Sequence, residues 1–470
     1  MPLKWAVSAV FAAAFVAALG YAWLRWRAFK RLLRYNPQHG QAYALGRMGG
    51  KPSEVICHDD GFEIPAFADA NAAAFLPLVI TSTFSGKFFD PWIEMELCGV
   101  TRRQYFERGA CGTRYLNLSG FFTGPAPPKG RMRLRGGRCT WREQRTWVFA
   151  FSERLAPSEK VAVIAPHPDD AEIAAFGVYS STDAVVVTVT AGDATESFGS
   201  AVFGGLRAPR TMVAKARVWD SVTIPRFGGV ELERAVNLAY PDGELAAMFA
   251  EPDRVFNARS TDGVDFAALR AMNLSQLMPH EKTSCSWRSL VADLERIFRA
   301  VKPTVIVTPY PGQDPHPDHL FTTAAVAEAM HAAELSDTRV LLAVVHNRWS
   351  ELYPFGPAGS EMSLPPLFEA TEVECDGLCV VPLSDERQRG KHLALEAMHD
   401  VRDVQASSRV DWPTALKRCR TQIHAAIHGL GLPPTSYLRR AVRPQELFFV
   451  VHLDRLGRLV EQSTHVPAPK

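Results

Sequence analysis

His167-Pro168-Asp169-Asp170 and His316-Pro317-Asp318-His319 are the two strings in this chain whose residue types and spacing could do chemistry. Each offers two potential metal ligands at i,i+3 spacing. The first leaves a spare carboxylate, Asp169; the second leaves a spare imidazole, His316. His167, Asp170 and His319 make a set of two histidines and one carboxylate. Three protein ligands leave one position for water, as in a catalytic rather than a structural zinc site. Zn2+ in such a site brings the pKa of its water to about 7 and polarises a carbonyl. Asp169 adjoins a ligand and could accept the proton of that water. His316 could stabilise a tetrahedral oxyanion or protonate a departing amine.

A single His-Pro-Asp is commonly a turn whose Asp caps the next helix. Two such strings, both at strand ends of one domain, argue for a shared site instead. The same ligand types also serve non-haem iron oxygenases. That alternative leaves the second Asp and the parallel sheet unexplained.

The positioning elements are legible. Lys160–Ala165 is a nearly continuous apolar run, as expected of a strand buried on both faces. Runs 184–190, 304–308 and 340–345 are similar, and helical patterns cover 290–301 and 321–333. The alternation predicts an α/β layer with a mainly parallel sheet. Ligands gather beyond the carboxyl ends of such strands, and both His strings fall there. Before them, short runs at 54–57, 76–83, 92–97, 114–118, 131–135 and 146–151 predict a β-sandwich. The Gly-rich stretch 36–53 reads as a linker.

A chain of 470 residues is expected to hold two folded domains. A formal net charge of +2 argues against a nucleic-acid binder held by bulk electrostatics. The eight cysteines show no CxxC spacing, so a thiolate zinc site is not expected. Trp5–Leu24 is a run of twenty uncharged residues, long enough to cross a bilayer as a helix. A cleaved signal peptide is the alternative. Arg25, Arg27, Lys30, Arg31 and Arg34 follow, against Lys4 before. By the positive-inside rule, a single-pass anchor would then leave the catalytic body in the cytoplasm; the opposite side is the alternative. The basic stretch could also lie on anionic lipid.

At the two His strings the chain resembles the GlcNAc-phosphatidylinositol de-N-acetylase family, the PIG-L or LmbE-like deacetylases. The matching segments read Val161-Ala-Val-Ile-Ala-Pro-His167-Pro-Asp169-Asp170-Ala-Glu172 and His316-Pro-Asp-His319. Weaker matches are Thr190-Ala-Gly192-Asp193, Tyr240-Pro-Asp242-Gly243, and Lys391, Ala394-Leu395 and His399, with Gln405 displaced. The resemblance spans about 158–455. It implies a Rossmann-like fold and a divalent metal, usually Zn2+, hydrolysing an N-acetyl amide on a glucosamine-type sugar. It also implies metal ligation by His167, Asp170 and His319, with Asp169 as base and His316 as catalytic imidazole. The chain departs from the family in keeping one glycine, Gly177, after the first string. It also has Lys215 and Arg217 on the 210–222 helix where an acidic residue is expected, and a Gly- and Phe-rich segment over 198–205.

The expected organisation is a membrane anchor and basic segment (1–35), a β-sandwich domain (54–153) and a deacetylase domain (158–455). The expected activity is removal of an N-acetyl group from an N-acetylglucosamine-type sugar, lipid- or glycan-linked, at the membrane. One alternative is an amidase of a thiol-sugar conjugate. Another is a non-catalytic envelope glycan-binding or assembly protein. His331, His346, His392 and His452 read as ordinary histidines, with His399 the better candidate. Trp92, Tyr105, Phe106, Tyr115 and Trp141 read as core residues before a sugar-stacking platform. Lys4, the basic run to Arg34, and Arg439-Arg440 read as solvated or lipid-facing charge.

Overall fold

The computed structural model describes residues 20, 31–66, 73–123, 127–194, 209–257, 263–278, 284–368, 374–401 and 436–464. The β-rich N-terminal region contains β1 (Lys51–Cys57), β2 (Gly61–Glu63), β3 (Ala73–Ser82), β4 (Trp92–Leu97), β5 (Val100–Tyr105), β6 (Cys111–Asn117), β7 (Arg131–Gly137), β8 (Cys139–Trp141) and β9 (Gln144–Phe151). They form two antiparallel sheets, β1-β9-β3-β6 with β8 on β3, and β2-β7-β4-β5. Period-two alternation builds the core they share. Met132 and Leu134 of β7 are buried while Arg131, Arg133 and Arg135 face solvent. Ile93 and Met95 of β4 meet Leu76, Leu78 and Ile80 of β3 in that core. The start of β3 is buried on both faces, because Ala73 and Phe75 pack the other way, into the α/β core.

The stretch expected to be a linker is packed. Tyr43, Leu45 and Met48 are buried in the α/β core cluster, and the Tyr43 hydroxyl donates to the Pro365 carbonyl at 2.7 Å. Among the aromatics, Phe106 and Tyr115 are buried core residues. Trp92 instead stacks on the Arg103 guanidinium, 4.0 Å from its ring centroid.

The α/β part has β10 (Lys160–Ala165), β11 (Asp183–Thr190), β12 (Ala235–Tyr240), β13 (Val305–Pro309), β14 (Arg339–Ala343), β15 (Gly377–Pro382) and β16 (Gln445–Val451). Their order is β12-β11-β10-β13-β14-β16-β15. The first five are parallel, but β16 pairs antiparallel with both β14 and β15. The expected mainly parallel, Rossmann-like sheet is therefore corrected to a mixed one. The cause is a C-terminal pair of strands: β16 is buried along its whole length and runs antiparallel to both of its neighbours, β14 and β15. Strand order reverses between β10 and β13, which opens a crevice at that point of the sheet edge.

The helices that matter below are α1 (Asp170–Ala174), α2 (Arg210–Thr223), α3 (Trp287–Val301), α4 (Pro317–Ala332), α5 (Asp385–Ala397) and α6 (Tyr437–Ala441). In α3, Ser286 caps the start by accepting from the Ser289 N–H. Leu290, Leu294, Ile297 and Phe298 are buried at helical spacing, each contributing about 1.5–3 kcal/mol. Lys302 closes the helix in the left-handed region, just before Pro303.

No helix among the described residues is long and apolar enough to cross a membrane. The longest described, α4, has 16 residues, or about 24 Å against the roughly 30 Å of a bilayer core. This overturns the expected transmembrane helix and the single-pass membrane localisation that rested on it. The 5–24 stretch itself, Gly20 apart, lies outside the described residues, as do Arg25, Arg27, Lys30, Gln405 and 198–205. The described end of the basic stretch packs on protein. Leu33 is buried with Leu352, Tyr353 and Phe355, and Arg34 ion-pairs with Glu351 at 3.3 Å.

Candidate active site

Both His strings lie at the C-terminal edge of the parallel strands, on either side of the crevice. His167 stands two residues beyond β10. Its N–H donates to Asp170 Oδ2 at 2.9 Å, which folds the string back on itself as α1 begins. His316 caps α4, its Nδ1 accepting from the Asp318 N–H at 3.2 Å, and His319 sits in the first turn, fully buried.

Three donor atoms converge. His167 Nδ1 is 3.1 Å from Asp170 Oδ2. His319 Nε2 is 3.2 Å from the same oxygen and 3.3 Å from His167 Nδ1. A tetrahedral site with bonds of about 2.0–2.1 Å has edges of about 3.3 Å. The triangle therefore fits a small divalent cation such as Zn2+ without rearrangement. Overlapping sets of possible ligands surround it: His167, His316 and His319; Asp170, His319 and His346; His167, Asp242 and Asp318.

Carboxylates behind the triangle orient its histidines. His319 Nδ1 lies 2.8 Å from Asp314 Oδ2, which also accepts from the Val345 and His346 N–H groups at 3.2 and 2.9 Å. The other ring nitrogen of His167, Nε2, is 3.3 Å from both Asp242 and Asp318. Those two carboxylates are already engaged with backbone. Asp318 accepts from the Gly243 N–H at 2.6 Å, and Asp242 from the Ala194 N–H at 3.2 Å. Such partners fix ring orientation and ligand basicity. Asp314→Asn is accordingly expected to weaken metal binding about 10–100-fold, measured by competition against a chelator.

The electrostatics follow from this crowding. Burial alone would lower the His319 pKa, but Asp170 and Asp314 outweigh it and push it up to about 10. Burial likewise opposes protonation of His167, yet Asp242 and Asp170 carry its pKa well above the ordinary value. Asp170 is held low by the two histidines in spite of burial. A divalent cation would replace the protons that these pairs share. His316 goes the other way, lowered by burial and by His167 and His319. Burial and the two neighbouring histidines thus favour its neutral form. Its Nδ1 accepts a hydrogen bond, so its proton sits on Nε2.

Asp169 is pushed up to about 8, first by burial and then by Asp400 and Asp170. Arg217 of α2 opposes this. Its Nη2 reaches Asp169 Oδ1 at 3.3 Å and also pairs closely with Asp400. Asp169 Oδ2 is left without a hydrogen bond among the described residues. The acidic residue looked for on α2 is Asp220, which meets His399 Nδ1 at 2.7 Å. Arg217 lies within the site rather than on a solvated face.

Gly192 makes room for Arg217. Its φ is +67°, and a Cβ there would sit 2.6 Å from Arg217 Nη1. Gly192→Ala is expected to push Arg217 off Asp169 and to lower hydrolytic turnover by about 10²-fold, while far-UV circular dichroism stays unchanged.

All five residues singled out by sequence, His167, Asp169, Asp170, His316 and His319, thus come together. Sequence reasoning missed Asp314, Arg217, Asp400 and His346. His346 packs with its ring centroid 5.1 Å from that of His319, and burial pulls its pKa down to about 4. The signal for it was available, because His346 follows the run 340–345 at the same sheet edge.

Buried histidines and carboxylates converge at the crevice of an α/β sheet, in groups that could hold a metal ion. Residues 162–330 match the family PIG-L, GlcNAc-PI de-N-acetylase. Through this segment the chain is similar to the PIG-L deacetylases. No curated protein matches the chain. Among solved structures, GalB, the 4-carboxy-2-hydroxymuconate hydratase from Pseudomonas putida KT2440, aligns at 12% identity with a TM-score of 0.32, covering 62% of this chain and 95% of its own. A family two carbohydrate esterase from Cellvibrio japonicus aligns at 10% identity with a TM-score of 0.14, covering 64% and 84%. Neither likeness is close enough to bear on fold or function.

Proposed function

We propose that the chain is a metal-dependent N-deacetylase that hydrolyses the acetamide of an N-acetylglucosamine-type sugar, releasing acetate and a free amine. The observation that carries this reading is the triangle of His167 Nδ1, Asp170 Oδ2 and His319 Nε2 with Asp169 beside it, in a segment that matches a de-N-acetylase family. His167, Asp170 and His319 would hold the metal, with Zn2+ the first candidate. When bound it supplies Lewis acidity toward the carbonyl and acidifies water.

The rest is the work of the chain. With a cation bound nearby to favour its ionised form, Asp169 would take the proton of the attacking water on its free Oδ2, while Arg217 fixes Oδ1. His316 presents Nε2–H toward the oxygen of the tetrahedral intermediate, where charge develops. The C–N bond then breaks, and the amine nitrogen leaves with the proton that Asp169 collected. Burial of Asp314, Asp318 and His319 keeps bulk water from the back of the site.

The test is acetate release from N-acetylglucosamine glycosides, free and lipid-linked, with and without a chelator. Acetate that disappears on chelation and returns with metal supports the reading. Chelator-insensitive release, or none across the panel, refutes it.

A further inference from the structure

Two polar side chains beside the catalytic imidazole have no part in the hydrolysis described above. His346 stacks on His316, with ring centroids 5.9 Å apart and planes inclined by 29°. Its ring is also 5.1 Å from that of His319. Tyr437, the first residue of α6, meets His346 edge-on at 6.3 Å. The site carboxylates act on Tyr437 too. Burial raises its pKa, and Asp169, Asp170 and Asp400 raise it further. The phenol therefore keeps its proton and stays a donor. Burial favours the neutral form of His346, which offers one donor and one acceptor.

Neither polar tip is spent. Among the described residues the Tyr437 hydroxyl has no hydrogen-bond partner, and neither ring nitrogen of His346 has one. Both side chains are half-buried.

What lies behind the tips is fixed. Arg440, read in the sequence as solvated charge, is buried. It follows Tyr437 by three residues on one face of α6, and its guanidinium lies 5.2 Å from the Tyr437 ring centroid, where cation–π attraction holds the ring. The same guanidinium donates Nη2 to the Val345 carbonyl at 2.9 Å and Nε to the Tyr353 carbonyl at 2.8 Å, which braces the backbone beside His346. The His346 N–H donates to Asp314 Oδ2 at 2.9 Å, the oxygen that also orients His319 at 2.8 Å. Polar groups braced from behind, with their tips free, are preorganised for a ligand.

A phenol and a neutral imidazole suit an uncharged group that both donates and accepts, which is a hydroxyl. An acetamide held at the triangle brings the ring carbon that bears its nitrogen to the rim of the site. On one side of that carbon stands the glycosidic oxygen, an acceptor only. On the other stands a free hydroxyl.

We propose that Tyr437 and His346 form a hydroxyl-reading edge that selects substrates by the free hydroxyl vicinal to the acetamide. This rests on the N-deacetylase reading above. The test compares kcat/KM of the metal-loaded enzyme for an N-acetylglucosamine glycoside and for the analogue lacking that one hydroxyl. The parent is expected to be favoured by about tenfold. Tyr437→Phe keeps the ring over Arg440 and loses only the oxygen; His346→Phe keeps a ring against His316. In each variant the ratio of parent to analogue should fall toward one. Both substrates are measured on the same preparation, so loss of folded protein cancels from the ratio. Equal kcat/KM for the two glycosides in the wild type keeps the N-deacetylase reading and overturns the edge. A preference that survives in either variant also overturns it.

Where neither glycoside is hydrolysed, binding measured by calorimetry decides. Tighter binding of the parent that is lost in Tyr437→Phe keeps the edge and dismisses the N-deacetylase reading. Equal or absent binding overturns both.

Discussion

Asp169→Asn is expected to keep its metal and to lose acetate release by about 10²–10⁴-fold, the usual range for removing a general base. The substitution is nearly isosteric. The amide oxygen can still accept from Arg217 Nη2, which holds Asp169 Oδ1 at 3.3 Å. What changes is the other atom. Oδ2, free of hydrogen bonds among the described residues, becomes an amide N–H2 that cannot take a proton. The charge lost beside Arg217 is tolerable because Arg217 also pairs with Asp400. Asp170 and the two ligand histidines are untouched, so metal content measured on the purified variant should match the wild type. Retained turnover with full metal would remove Asp169 from the role of base. Loss of both metal and turnover would instead place Asp169 among the groups that hold the cation.

The residues that could be read in sequence are those whose roles follow from local spacing. His167 and Asp170 are ligands three residues apart after a buried strand, and the same spacing recurs at His316 and His319. The sequence alone therefore puts both strings on one edge of the sheet. Asp314 was harder to see. It acts on His319 at a spacing of five, across a Pro-containing turn, and its carboxylate is anchored by the N–H groups of 345 and 346, far off in sequence. Arg217 reads in the sequence only as a departure from the family pattern; its burial, its contact with Asp169 and the close approach of Gly192 place it in the site. The mixed sheet was missed because β15 and β16 are short apolar runs whose direction is set by pairing, which spacing along the chain does not encode. The membrane helix was inferred from an apolar run of adequate length. That criterion can be applied to any such segment, and the described helices do not meet it.

His319→Ala is expected to strip the metal and with it all measurable hydrolysis, and the pattern across neighbouring substitutions decides which donors hold the cation. Three overlapping sets of side chains are close enough to do so. His319 belongs to two of them and supplies two edges of the 3.1–3.3 Å triangle, so its loss should reduce bound metal from about one equivalent to near none, with no recovery on adding Zn2+ in modest excess. His316 and His346 separate the alternatives. The Nδ1 of His316 is spent on capping α4, so His316→Ala should retain metal while turnover falls. If His346 completes a site with Asp170 and His319, His346→Ala should lose metal as thoroughly as His319→Ala, and His167→Ala should not. The triangle demands the reverse: metal lost from the His167 and His319 variants and kept by the His346 variant. Because His319 is fully buried, its truncation also leaves a cavity and an unpaired Asp314, and the melting temperature will fall for that reason alone. Metal content per folded protein, measured after removal of aggregates, is therefore the deciding number. The same number for His167→Ala is an independent check, since His167 lies outside α4 and is a little less buried than His319.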